Sequence, residues 1–324
     1  EAITQSGLAL DTPEIGARTA CVIGTGIGGE LTHDESARRM YAEGNPRVHP
    51  LTIVRLMANA PSSQISMAFG VRGPAYAVSS ACASSNHAIA QAFDLIRSGR
   101  VDVAISGGCE ACISLGGMRA WEAMRVLADD TCRPFSKQRH GLVLGEGAGI
   151  FVLEELSHAQ ARGATILAEL AGVGQSADAG DIVYPSAEGA ASAIRGALDD
   201  GGLNTDQVDY INAHGTGTLA NDSTETRAIH LALGRHAHQI AVSSTKSMHG
   251  HALGAAGAIE LIAVLGALRE GIAPPTVNFM DPDPECDLDY VPNVAREIPV
   301  RVALSHSFAF GGLNAVLALR SWPN

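Results

Sequence analysis

The chain has 324 residues, carries 22 Lys+Arg against 34 Asp+Glu for a net charge of −12, and is 46% apolar with only 17% charged residues. That length suffices for one large or two medium domains around a continuous core, while the acidic balance without a dense Lys/Arg run excludes a nucleic-acid partner. Seven Phe, five Tyr and two Trp against 36 Gly require a core packed from Ala, Val, Ile and Leu, which suits closely spaced sheets and helices.

No stretch approaches the roughly 18–20 apolar residues that cross a bilayer, and the first residues lack a basic-then-apolar leader order, so the expectation is a cytoplasmic protein with no membrane span. The cysteines Cys21, Cys82, Cys109, Cys112, Cys132 and Cys286 are too sparse for a disulfide framework and are expected as thiols. In chain order, the apolar run Ala20 to Ile23 predicts a buried strand, followed by Gly24-Thr25-Gly26-Ile27-Gly28-Gly29. These glycines satisfy the GxGxxG pattern of a dinucleotide turn. The segment GELTHDESARR behind them has no apolar stripe, which argues against a nicotinamide cofactor and for a tight structural turn. Ala77-Val78-Ser79-Ser80 predicts a strand end, and Cys82, Asn86, Ile89, Phe93 and Ile96 mark one face of a helix that ends before Gly99. Val101 to Ser106 and Gly149 to Leu153 predict further buried strands. The lone CxxC pair Cys109 and Cys112 reads as small packing residues rather than a zinc or redox site.

After Glu155 the pattern begins again. A strand-like ILAEL run (166–170) and the strand Val208 to Ile211 precede Ala241-Val242-Ser243-Ser244, which repeats AVSS; Val300 to Ser305 repeats Val101 to Ser106, and Ala315 to Leu319 resembles Gly149 to Leu153. A helix from near Leu253 carries Glu260, Leu261, Val264 and Leu265, and the Pro/Asp-rich excursion Gly271 to Glu297 reads as an irregular surface or pocket-edge segment. The order strand edge, helix, strand, strand therefore occurs twice, predicting an α/β protein of two halves, 1–156 and 157–324, that share one core.

Three side chains in this layout are suited to chemistry. Cys82 falls where an extended segment turns into a helix, and the positive helix end is expected to lower the thiol's pKa and favour thiolate; a buried packing cysteine is the plain alternative. His214 sits in the Gly/Thr loop Asn212-Ala213-His214-Gly215-Thr216-Gly217-Thr218 at the C-terminal end of a buried strand, the usual ligand-binding edge of an α/β sheet. His251 precedes a Gly/Ala-rich helix that permits close backbone approach, whereas His87 and His249 read as structural groups.

The strings SSACASSNHAI, NAHGTGT, STKSMHGHALGAAGAIE and HSFAFGGLNAV resemble, in order and over nearly the whole chain, the β-ketoacyl-[acyl carrier protein] synthases of the thiolase superfamily, nearest the synthase II-like and nodulation-type groups. The resemblance implies a thiolase-like, pseudo-duplicated five-layered αβαβα fold and an acyltransferase acting in fatty-acid or polyketide-type synthesis. It implies Cys82 as the nucleophile that takes an acyl chain as a thioester, and His214 and His251 as the pair that drives decarboxylation of a malonyl thioester. Lys246 matches the lysine supporting the second histidine, and Glu260 its buried carboxylate partner. The backbone N–H groups of Cys82 and Phe310 match the oxyanion hole, Thr216 and Thr218 the pantetheine contacts, Phe308 and Phe310 the gate, and Ile27 an acyl-pocket residue near a dimer seam. No cofactor is implied beyond substrates carried on the phosphopantetheine of acyl carrier protein, and a homodimer is expected.

Some positions depart from the family pattern: Ala309 stands for the usual Gly, Leu313 for Thr and His306 for Asn. Since Ala takes a positive φ less readily than Gly, a stiffer gate is expected. The family places a strand–helix unit ahead of the point at which this sequence opens, so a sheet edge without its neighbour is expected. A thiolase would carry a second catalytic cysteine in the last motif, which has none, and a non-catalytic chain-length partner would lack the nucleophile. An acidic carrier protein needs a basic dock, for which some of Arg38, Arg39, Arg47, Arg55 and Arg72, or of Arg119, Arg125, Arg133, Lys137 and Arg139, are the candidates, solvated surface charges being the plain alternative; charge reversal at Arg125 tests that residue's part in it.

Overall fold

A computed structural model describes residues 1–10 and 12–323. The first sheet contains β1 (Thr19–Gly24), β2 (Ala75–Val78), β3 (Val103–Glu110) and β4 (Gly147–Glu154) in the order β2-β1-β3-β4. The second contains β5 (Ala168–Ala177), β6 (Tyr210–Asn212) and β7 (Ala241–Ser243), then, beyond the small β8 (Ile272–Ala273) and β9 (Arg296–Glu297) ladder, β10 (Val302–Ala309) and β11 (Leu313–Ser321), in the order β5-β11-β10-β6-β7. Reading inward from the edge, β2, β1, β3 and β4 correspond to β7, β6, β10 and β11, with the last pair antiparallel in both sheets. The repeated strings fall on these equivalences: AVSS on β2 and β7, the Val101 run on β3 and the Val300 run on β10. β5, which pairs antiparallel with β11, has no counterpart beside β4 among the described residues.

The strands are apolar on both faces because helices cover both. β1 and β10 are buried along their whole length, as a sheet inside a layered α/β fold requires. Helices Ser84–Arg97 and Ala256–Glu270 form the middle layer, the first packing against β1, β3 and β11 and the second against β10 and β4. Helices Ala187–Asp200 and Leu219–Leu233 cover the far side of the second sheet, and Ala60–Phe69 covers β1 and β2. The layers run α, β, α, β, α. Ile89, Val264, Leu317 and Tyr210 are buried together between the sheets, so the two halves share one core. Helix Ser84–Arg97 ends at Ser98 with Gly99 at φ +70°, and helix Ala256–Glu270 at Gly271, φ +65°, the left-handed C-terminal stop that glycine supplies at least cost.

The excursion 271–297 is irregular but anchored. The β8–β9 ladder closes its ends, Cys286, Tyr290 and Val291 are buried, and Tyr290 stacks on Phe135 at 4.0 Å between centroids. Among the described residues no helix is long and apolar enough to cross a membrane.

Candidate active site

Cys82 stands on a strained elbow. Between β2 and the helix that begins at Ser84, Ala81 takes φ +49°, a left-handed conformation that a residue with a Cβ adopts only under constraint. The Ser84 hydroxyl supplies it, accepting the Ser80 N–H (2.9 Å) and donating to the Ala81 carbonyl (2.6 Å). Beneath the elbow a Cβ on Gly24 would lie 2.5 Å from the Ser84 backbone, so glycine alone lets β1 pass. The resulting turn leaves Cys82 buried at the start of the middle-layer helix.

The second half delivers the histidines to the same point. His214 follows β6, with its own N–H and that of Gly215 donating to Glu225 at 2.8 and 2.7 Å. His251 is held through its backbone by the first half, its N–H donating to the Val143 carbonyl (2.7 Å) and its carbonyl accepting from Gly145 (3.0 Å). The Cys82 sulfur and a ring nitrogen of each histidine lie within 4.8 Å of one another, and the two rings meet edge-on at 5.3 Å. His214 Nδ1 and both ring nitrogens of His251 have no partner among the described residues, which leaves them free to bond a guest. Both imidazoles are held well below the usual histidine pKa by burial first and then by the Lys246 charge. They are neutral at pH 7, and each has one N–H to donate. The same donor spacing could also hold a thiophilic metal ion.

Lys246 and Glu260 form an ion pair behind the histidines, both completely buried. Burial pushes the Glu260 carboxyl up and Lys246 draws it back. Phe308 lies on β10 with its ring 6.2 Å from His214, and Phe310, just past the strand, stacks on Trp121 at 6.1 Å. The Thr216 and Thr218 hydroxyls bond each other at 2.9 Å, and Thr218 also caps helix Leu219–Leu233 by accepting from Asn221 N–H. Ile27 lies apart, exposed on the glycine turn.

Three expectations need correction. The thiol of Cys82 is not lowered: burial pushes it up to about 11, outweighing Lys246 and the backbone N–H groups of Phe310 and Cys82. Ala309 needs no positive φ, because β10 runs through it and the left-handed residues are Gly311 and Gly312 at +83° and +68°; the expected stiffening of the gate at 309 has no backbone basis. Arg139 is no surface dock, being buried against Asp222 and Asp283, and Arg119 and Arg133 pair with Glu122 and Asp130. Arg125 is exposed and pairs with no carboxylate among the described residues. Cys109 and Cys112 are pushed up to about 11 and 12 by burial, as packing thiols.

Two carboxylates that the sequence did not single out organise this region. Glu110, buried at the end of β3, accepts the N–H groups of Gly26 (2.6 Å), Ile27 (3.3 Å) and Gly254 (2.9 Å) and the Thr25 hydroxyl (3.0 Å). The GxGxxG turn thus cradles an anion, but the anion is the protein's own side chain, which fills the place a cofactor phosphate would take. Glu225 gathers the His214 loop and His306, whose Nδ1 lies 3.1 Å away. His87 and His249 bond only neighbouring hydroxyls and carbonyls, as structural groups.

Comparison with known proteins places the geometry in a lineage. Residues 1–159 match the beta-ketoacyl synthase N-terminal domain and 167–280 the C-terminal domain. The chain is 54% identical to nodulation protein E of Rhizobium sp. (strain N33) over 99% of its own length and 79% of that relative. It is 46% identical to 3-oxoacyl-[acyl-carrier-protein] synthase 2 of Synechocystis sp. over 97% and 76%. The ishigamide ketosynthase/chain length factor superposes with a TM-score of 0.94 at 40% identity, covering 99% of this chain and 79% of that one. A type II polyketide ketosynthase solved with its acyl-carrier protein, AntDE:AntF, superposes at 0.93 and 33% identity, covering 99% and 82%. With a duplicated thiolase-like fold and both family domains in order, the chain belongs to the β-ketoacyl synthase family, the acyltransferase-type condensing enzymes of fatty-acid and polyketide synthesis.

Proposed function

We propose that this enzyme transfers an acyl chain from acyl carrier protein to Cys82 and condenses it with malonyl-carrier protein by decarboxylative Claisen chemistry. The observation that carries this reading is the convergence of Cys82, from the 1–156 half, with His214 and His251, from the 157–324 half, within 4.8 Å. In the first step the Cys82 proton passes to an imidazole and sulfur attacks the acyl thioester, releasing the carrier thiol. In the second, N–H groups of the neutral His214 and His251 bond the malonyl thioester oxygen and stabilise the enolate left as CO₂ departs. The enolate carbon attacks the acyl-Cys82 carbonyl, whose oxygen is held by the Cys82 and Phe310 N–H groups; collapse expels the Cys82 thiolate, which takes a proton from solvent to restore the thiol, and leaves the β-ketoacyl chain on the carrier protein. Both N–H groups draw the Cys82 thiol downward, which supports their aim at this centre. Burial, with the Lys246 charge adding to it, keeps both histidines neutral.

Thr216 and Thr218 bond the pantetheine arm, Phe308 and Phe310 gate the acyl cavity, and Ile27 belongs to an acyl pocket completed at a homodimer seam. The substrates travel as phosphopantetheine thioesters, and Arg125 serves the carrier-protein dock. A non-catalytic chain-length role would leave the three convergent groups unused, and a thiolase would require a second cysteine in the 306–316 motif. Purified enzyme given acyl- and malonyl-carrier protein should yield a β-ketoacyl-carrier protein by mass spectrometry, and Cys82→Ala should abolish both the acyl-enzyme adduct and the product. A folded wild-type protein that forms neither would overturn the reading.

A further inference from the structure

We infer that the protein carries a second, non-catalytic metal site, for a borderline divalent ion such as Zn²⁺, built from His230, His238 and Asp287 on the outer face of the second half. One donor atom from each lies within 4.8 Å of the others. The two imidazoles face each other at 4.9 Å between centroids, and His230 Nε2 lies 2.6 Å from Asp287 Oδ1. The His238 ring makes no hydrogen bond among the described residues.

The three ligands come from separate elements, and each is fixed by a buried neighbour. His230 occupies the last turn of helix Leu219–Leu233, next to the buried Ile229. Gly234 then adopts φ +57°, ψ −134°, a conformation open essentially to glycine alone, which folds the following short helix Gly234–Gln239 back towards the same face. Ala237, completely buried, pins that short helix, and His236 Nε2 bonds the Val208 carbonyl at 3.0 Å, so His238 is presented outward. Asp287 follows the buried Cys286 on the 271–297 excursion, which Tyr290 ties to the helix through its hydroxyl and that of Thr226 at 2.7 Å. The scaffold is rigid and the side-chain tips are accessible, which is what an ion needs to enter a preformed site.

Two imidazole nitrogens and one carboxylate oxygen select zinc and its neighbours over magnesium or calcium, and three protein ligands leave a fourth position for water. Bonds of about 2.0 Å in tetrahedral geometry put neighbouring ligand atoms about 3.3 Å apart, so the 2.6 Å His230–Asp287 contact must open by about 0.7 Å. Both side chains are partly exposed and can move that far. A bound ion would clip the excursion to the helix. Asn278 on the same excursion donates to the Ser247 carbonyl at 3.2 Å, four residues before His251.

Cys82, His214 and His251 could also take zinc, so the test uses metal-free Cys82→Ala protein. Titration with ZnCl₂ by calorimetry should show one ion per chain, undisplaced by millimolar Mg²⁺, together with a raised melting temperature. His238→Ala and Asp287→Asn should each weaken zinc binding by more than about tenfold while leaving the metal-free melt unchanged. His140→Ala, in the exposed Asp129, Asp130 and His140 cluster, should leave binding intact. Equal affinity in the His238→Ala variant, loss of binding in His140→Ala instead, or ready displacement by Mg²⁺ overturns the site.

Discussion

At the scale of single residues, the environment of Cys82 pulls its sulfur in two directions. Burial raises the thiol to about 11, while Lys246 and two backbone N–H groups pull it down. A ground-state thiol with neutral imidazoles beside it is suited to acyl transfer only if a histidine takes the proton during attack, so the histidines must stay neutral. Their depressed pKa has a consequence for stability. A histidine unfolds to a pKa near 6.5, so the unfolded chain binds protons that the folded chain refuses; the contribution is complete above pH 6.5 and is lost as pH falls towards the folded value. His251→Asn removes one such group. Between pH 7.5 and 5.5 it should lose about 1.4 kcal/mol less stability than the parent in urea unfolding, and an identical loss in both would show that His251 is not held neutral. The buried Lys246–Glu260 pair offers a second test. Lys246→Met leaves a carboxylate without its partner and should destabilise by about 3–5 kcal/mol, with most of it recovered on adding Glu260→Leu. A single variant as stable as the double would remove the pair from the account.

At the scale of elements, the parts legible in the sequence were those with local signals. The duplicated AVSS and valine runs marked β2, β3, β7 and β10 because strands buried on both faces leave continuous apolar runs, and the spacing of Asn86, Ile89 and Phe93 marked the middle-layer helix. Glu110 stayed hidden because its partners lie elsewhere in the fold, Gly26 and Gly254 being 84 and 144 residues away; Glu225 stayed hidden because its local partners are the backbone N–H groups of His214 and Gly215, which carry no side-chain signal, and its side-chain partner His306 is 81 positions on. The carboxylate that the GxGxxG turn holds lies on β3 and leaves no trace in the sequence near the turn. Glu110→Gln should therefore loosen the turn and the Gly254 segment, costing about 1.5–3 kcal/mol for a charge-assisted bond lost, read by denaturant midpoint; an unshifted midpoint would mean the carboxylate is dispensable. The gate is a similar case. Because the left-handed residues are Gly311 and Gly312, Ala309→Gly should not free it but weaken β10 by about 0.5–1 kcal/mol, with acyl selectivity unchanged.

Considered as a whole molecule, the chain presents an imbalance that one copy does not resolve. A net charge of −12 favours a separated, soluble monomer through self-repulsion, yet Tyr41, Ile53, Met67 and Leu115 are 84, 61, 69 and 71% exposed. The helices that carry them pack together beside the glycine turn: Glu30–Ala37 runs on into the Tyr41 turn Arg38–Ala42 and packs against both Thr52–Leu56 and Leu115–Met124, and Thr52–Leu56 packs against Ala60–Phe69. Apolar side chains scattered singly need no partner, but a face assembled from neighbouring elements does. On the proposed reading this face is the homodimer seam, and Ile27 at its border becomes a pocket residue only when a second copy covers it. The −12 charge then acts against association everywhere except where apolar area outweighs it. Raising the salt concentration should tighten the dimer by screening the repulsion, whereas a seam built on ion pairs would loosen. Ile53→Asp with Leu115→Asp should convert a sedimenting dimer into a monomer of unchanged helicity. A variant that remains dimeric places the seam on another face and leaves Ile27 without its role.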